Sequence, residues 1–97
     1  MAQEYDITHN EALMHFEIHE GDNIAFLEYR FYKKDIAFMH TEVPKSMEGK
    51  GIASALAAYA FQYSQQIDKL VMVYCPYVSV YLKRHPELNE QLDKGYH

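Results

Sequence analysis

Gly49 and Gly51, one residue apart in the stretch from Thr41 to Ser54, are the residues of this chain best suited to holding an anion. Glycine tolerates positive φ, so a loop built on it can turn several backbone N–H groups toward one point. A helix beginning at Ile52 would add its own unpaired N–H groups and the positive end of its dipole. The chemistry this favours is capture of a phosphate or pyrophosphate. A second reactive position is Cys75, ahead of Pro76, where a thiol at a helix start is biased toward thiolate. His40 and Glu42 alternate along one strand and so share a face, where an imidazole and a carboxylate can each accept a proton. His15, Glu17 and His19 also share a face. Alternate strand residues lie ~7 Å apart and do not easily converge on one ion, so a solvent-facing polar stripe and no metal site are expected.

Three phosphate-binding loops compete for the glycine stretch. A Walker A loop requires four residues between its first glycine and a Gly-Lys-Ser/Thr run, whereas here no Lys-Ser or Lys-Thr follows Gly51. A dinucleotide-binding loop needs a third small residue where Ser54 stands, and a much longer α/β chain around it. Both fit poorly, and a lone Gly-x-Gly is also compatible with an ordinary tight strand-to-helix connection.

The elements that must position these residues follow from periodicity. After a short strand at Tyr5–Thr8 and a turn at His9–Glu11, Met14, Phe16 and Ile18 alternate with His15, Glu17 and His19 as in a half-buried strand. Turns at Glu20–Asn23 and Lys33–Asp35 bracket an alternating strand Ile24–Tyr32, and Ile36–Val43 is the last strand of the meander. Then the period changes. Ile52, Leu56, Tyr59, Tyr63 and Ile67 recur at helical spacing, and Leu70–Tyr74 is a nearly continuous apolar run, expected to be a strand covered on both faces. Strand, helix and buried strand in that order form a right-handed βαβ unit with parallel strands. A second helix starts with Pro76 at its first position and Cys75 as cap, and stops before His85-Pro86, because the residue before proline disfavours α geometry. The expected fold is α+β: an antiparallel meander plus one parallel strand added by a βαβ crossover, with two main helices.

The 97 residues, 48% of them hydrophobic, make one small domain. A net charge of −5 argues against a broad nucleic-acid surface and favours cationic partners at long range. No apolar run approaches the ~20 residues that span a bilayer, and the N-terminus does not read as a signal peptide. A single cysteine excludes an internal disulfide and fits a reducing compartment, so a cytoplasmic domain, with a monomer favoured, is expected.

A wider window resembles a known family. Glu42-Val43-Pro44, a four-residue spacer, and Gly49-Lys50-Gly51-Ile52-Ala53 at a helix start resemble the acyl-CoA loop of the GNAT superfamily of N-acyltransferases, usually written Gln/Arg-x-x-Gly-x-Gly/Ala. Glu48 takes the first place of that motif, Gly51 the fourth and Ala53 the sixth; Glu48 is a departure that adds negative charge at an anion site. With His40-Thr41, Cys75-Pro76-Tyr77-Val78 and His85-Pro86-Glu87, the likeness runs from about Phe16 to Leu92 and is to small single-domain GNAT-like proteins.

The resemblance implies a minimal GNAT-like (acyl-CoA N-acyltransferase) fold over residues 1–97, with about 1–10 and 93–97 frayed, and acetyl transfer from acetyl-CoA to an amine. The strands before the loop and after the helix would splay and admit the pantetheine arm of coenzyme A, lined by Glu42 and Val43 and facing Tyr74 and Cys75. Met47, Glu48, Gly49, Lys50, Gly51, Ile52, Ala53 and Ser54 would hold the pyrophosphate. Tyr81-Leu82-Lys83 resembles the Tyr-Glu-Lys of GNAT C-terminal helices, whose tyrosine protonates the departing thiolate; the other reading of Tyr81 is a core tyrosine. Cys75 would accept an acyl group, lie beside the coenzyme sulfur or form a mixed disulfide with it, or else be an inert buried residue. Glu42 and His40 are either bases or, respectively, a solvated charge and a structural histidine. The rival function is a coenzyme-binding or interaction module without turnover, because the helices that cover the acceptor side in larger GNAT proteins are replaced by the turn at Glu20–Asn23.

Overall fold

Five strands and two helices carry out this pattern in the computed structural model, which describes residues 5–95. Strands β1 (Thr8–Asn10), β2 (His15–Glu20), β3 (Asn23–Tyr32) and β4 (Asp35–Glu42) form the meander. A 3-10 turn at Lys45–Met47 leads to α1 (Ile52–Gln66), then β5 (Leu70–Val73), α2 (Pro76–Arg84) and a 3-10 turn at Pro86–Gln91. The sheet order is β1-β2-β3-β4-β5; the first three pairings are antiparallel and β4–β5 is parallel, as the βαβ reading requires.

One face of the sheet holds the core. Phe16 and Ile18, Ala25 and Leu27, Ile36 and Phe38, and Val71 point inward, and α1 lays Leu56, Ala57, Ala60 and Phe61 on them. Phe61 meets Phe38 edge-on at 5.3 Å between ring centres, and α2 adds Val78 to the same cluster. Both helices pack into this cluster, so among the described residues the outer face carries no helical layer. This corrects the expectation that the run at Leu70–Tyr74 is covered on both faces: Leu70 and Tyr74 are 40% and 51% exposed.

The meander starts later than expected. The first strand is Thr8–Asn10 and the turn follows it, because His9 pairs with Phe16 and packs its ring on Phe16, Tyr29 and Tyr63. Of the ends expected to fray, residues 1–4 and 96–97 lie outside the described part, whereas Leu92 bridges Val71 and the Asp93 N–H bonds the Val71 carbonyl at 2.9 Å. The polar stripe is also not uniformly solvated. Glu17 is buried, with its carboxylate held by Asn10 at 3.1 Å, His19 at 2.9 Å and His15 at 3.4 Å. Burial pushes its pKa up, but these hydrogen bonds outweigh that and hold it below the ordinary value. Among the described residues no cluster of His, Cys, Asp or Glu has the arrangement of a metal site, and no helix is long and apolar enough to cross a membrane.

Candidate functional site

The parallel pairing of β4 with β5 stops partway along β4, and the candidate site lies beyond that point. The β4–β5 ladder ends at Phe38 opposite Val73, closed by the Tyr74 N–H to the Phe38 carbonyl at 3.0 Å. Past that point β4 runs on to Glu42, while the other strand turns away into Cys75 and α2. The parting coincides with a bulge: Glu28 pairs with His40 and Tyr29 with Phe38, which leaves Met39 as the extra residue. A bulge reverses the inside–outside alternation of its strand. Phe38 and Thr41 therefore both point inward, and His40 and Glu42 are turned to the open outer face, side by side with His40 Nε2 3.5 Å from Glu42 Oε2. The Phe26 ring lies edge-on to His40 at 6.0 Å and stacks on His15 at 4.1 Å.

On the inner side the Cys75 thiol donates to Thr41 Oγ1 at 3.1 Å and is wholly buried. Cys75 is the cap residue of α2 by position, yet its side chain makes no cap hydrogen bond, because it is turned into the core toward Thr41.

Beyond the end of β4 the glycine loop encloses a cavity of about 280 Å³. Val43, Met47, Glu48, Gly49, Gly51, Ile52, Ala53 and Ser54 line it, together with Tyr77 from the first turn of α2. Gly49 and Gly51 have φ of +77° and +74°, which an L side chain adopts only with strain, and the space where a Cβ would stand is open at both. Gly51 caps α1 in this left-handed conformation with no side-chain cap, so the N–H groups of Ile52, Ala53 and Ser54 have no carbonyl one turn back to meet. Lys50 is the one member of the expected loop set that does not line the cavity; its ammonium pairs with Glu20 at 3.0 Å and its carbonyl accepts from the Tyr5 hydroxyl. Tyr77 was not foreseen. Its signal was its place just after Pro76, in the turn that abuts the other helix start.

Tyr81 lies farther along α2, half-buried between Phe61 and His85, whose ring stacks on it at 4.3 Å. Burial, and secondarily Glu87, push its phenol above the usual tyrosine value.

The chain is similar to several known proteins. The family described as GCN5-related N-acetyl-transferase matches residues 15–92. Protein NATD1 of Xenopus tropicalis is 36% identical over 63 residues, which is 64% of this chain and 58% of that one. Protein NATD1 of Homo sapiens is 36% identical over 63 residues, 64% of this chain and 56% of that one. The chain thus matches less than two thirds of the length of these relatives. Among solved structures, a GCN5-like protein from Staphylococcus aureus superimposes with a TM-score of 0.70 over 96% of this chain and 95% of its own, at 20% identity.

Proposed function

Because the chain belongs to the GCN5-related N-acetyltransferase family, we propose that it binds acetyl-CoA at the glycine loop and transfers the acetyl group to an amine. The observation that carries this reading is the cavity in which two left-handed glycines and the uncapped start of a 15-residue helix converge, directly beyond the parted strand β4. Such a cradle suits a pyrophosphate, because helix-start N–H groups and the dipole both favour negative charge. Among the described residues no lysine or arginine lines the cavity, so backbone groups do the holding and Glu48 works against them.

Bound acetyl-CoA supplies an activated carbonyl as a thioester. The edge of β4 from Met39 to Val43 offers backbone donors and acceptors to an extended arm, as an added strand would use them. Glu42, oriented by His40, takes the proton of the acceptor amine on the outer face. As the amine displaces the thiolate from the acetyl carbonyl, Tyr81 would give that sulfur a proton. Cys75 holds the parting strands together through Thr41 and does not act as a nucleophile.

Titration calorimetry with acetyl-CoA tests the cofactor half. The wild type binds, and Gly51→Glu, which fills the loop, does not. Absence of binding by the wild type would end the reading. The open outer face favours one alternative, an interaction module without turnover. Acetyl transfer that disappears in Glu42→Gln would exclude it.

A further inference from the structure

Lys50 stands between the two left-handed glycines and is held from outside the loop at two points. Gly49 and Gly51 both line the cavity, at φ of +77° and +74°. Glycine has the widest backbone freedom of any residue, so a Gly-x-Gly loop keeps one shape only where something else fixes that shape. Here the fixing passes through the residue in the middle. The Lys50 ammonium donates to Glu20 Oε1 at 3.0 Å, and the Lys50 carbonyl accepts from the Tyr5 hydroxyl. Glu20 and Tyr5 lie 30 and 45 positions away in the chain.

Both anchors are themselves fixed. Tyr5 packs against the core cluster. Glu20 is the last residue of β2 and pairs with Asn23, the first of β3, to close their hairpin. Asn23 reaches the same region, its side-chain amide donating to Ser46 Oγ at 3.0 Å in the 3-10 turn that precedes the loop. The hairpin thus grips the chain on its approach to the loop and again inside it. The Glu20 and Lys50 side chains are each nearly half exposed, and a pair of that kind adds little to global stability. Its effect is local: it narrows the set of loop conformations and so lowers the ordering cost that a ligand must meet.

We propose that Tyr5 and Glu20 are positioning residues for the glycine loop: acting through Lys50, they hold Gly49 and Gly51 in the cavity-forming conformation before a ligand arrives. That this serves coenzyme binding rests on the transferase reading above; that it orders the loop does not. Neither Tyr5 nor Glu20 lines the cavity, so their action on a ligand there is indirect.

The sign of one effect separates this role from plain electrostatics. As a bare negative charge near an anion site, Glu20 would oppose acetyl-CoA, and its removal would tighten binding. As a positioning residue, its removal weakens binding. Titration calorimetry with acetyl-CoA is expected to show Tyr5→Phe and Glu20→Ala each weakened roughly three- to tenfold. Glu20→Gln, which keeps an acceptor for the ammonium, stays close to the wild type. In a Lys50→Met background Glu20→Ala has no further effect, because its route to the loop is gone. In the coenzyme-free protein, NMR order parameters of the Gly49, Lys50 and Gly51 amides fall in Tyr5→Phe/Glu20→Ala, while those of α1 and the thermal midpoint stay near wild type. Tighter binding in Glu20→Ala, or loop order parameters indifferent to the double variant, overturns the proposal. Absence of acetyl-CoA binding by the wild type overturns the transferase reading instead, and the order parameters still decide whether the loop is pinned.

Discussion

The Cys75 thiol donates to Thr41 Oγ1 at 3.1 Å, and both residues are buried. The two stand 34 positions apart, one on the strand before the glycine loop and one at the start of α2. Their contact links β4 to the start of α2 on the core side, past the point where the β4–β5 ladder has ended.

A thiol committed in this way is shielded from reagents. Cys75 is expected to resist a soluble thiol reagent in the native protein and to react on unfolding. Cys75→Ala leaves the Thr41 hydroxyl buried without its partner and costs about 1–3 kcal/mol in denaturant unfolding. Acetyl transfer survives in Cys75→Ser, and a complete loss there with folding intact would return Cys75 to the list of nucleophiles.

Gly51 separates strain from blockage. Alanine meets no neighbouring atom there but must adopt φ near +74°, so Gly51→Ala lowers stability by about 1–2 kcal/mol and weakens coenzyme binding only modestly. Glutamate abolishes binding by filling the loop. Equal loss in both variants would mean that the φ angle, and not the free space, is what the ligand needs.

Glu48 places a negative charge on the wall of an anion cavity. Glu48→Gln should tighten acetyl-CoA binding by roughly three- to tenfold at low salt, with the gain shrinking as salt screens it. Calorimetry at two ionic strengths measures both effects.

Removing the proposed base or acid acts on turnover. Glu42→Gln and Tyr81→Phe should each lower kcat by roughly 10²–10⁴ with little change in acetyl-CoA affinity. Unchanged turnover in Tyr81→Phe would leave that ring as packing between Phe61 and His85.

Tyr29 makes the protein sensitive to alkali. Burial, then the charges of Tyr63 and Glu11, push its phenol up to about 12, against 10.0 for a free tyrosine. Above pH 10 the unfolded chain releases this proton while the folded one keeps it, so each further step in pH favours unfolding. The stability in question is whole below about pH 10 and is lost on the way to about 12, on the order of 2 kcal/mol. Tyr29→Phe gives up the hydrogen bond with His9 and flattens this limb of the pH–stability curve.

Much of the architecture was legible because it rests on local backbone preference. Alternation in Phe16–Ile18 and helical spacing from Ile52 specify element type, Pro76 starts α2, and His85-Pro86 ends it. Seven of the eight residues expected to hold the pyrophosphate line one cavity, since the glycines and the helix start are contiguous in the chain. Lys50 escaped because its direction depends on Glu20, 30 residues away.

Residue order by itself therefore settles the meander, the βαβ unit and the glycine loop, whose causes lie within a few neighbouring residues. Tertiary structure decides which face each reactive group meets. The bulge at Met39 exists only through the pairing of β3 with β4, and it is what turns His40 and Glu42 outward and Thr41 toward Cys75. Glu17 is buried although the stripe it shares with His15 and His19 reads as solvated, because Asn10 and the two histidines satisfy its carboxylate. Tyr77 joins the loop cavity because α2 begins beside the start of α1. Long-range pairing, hydrogen bonding and burial set these placements, and no short window of sequence contains them.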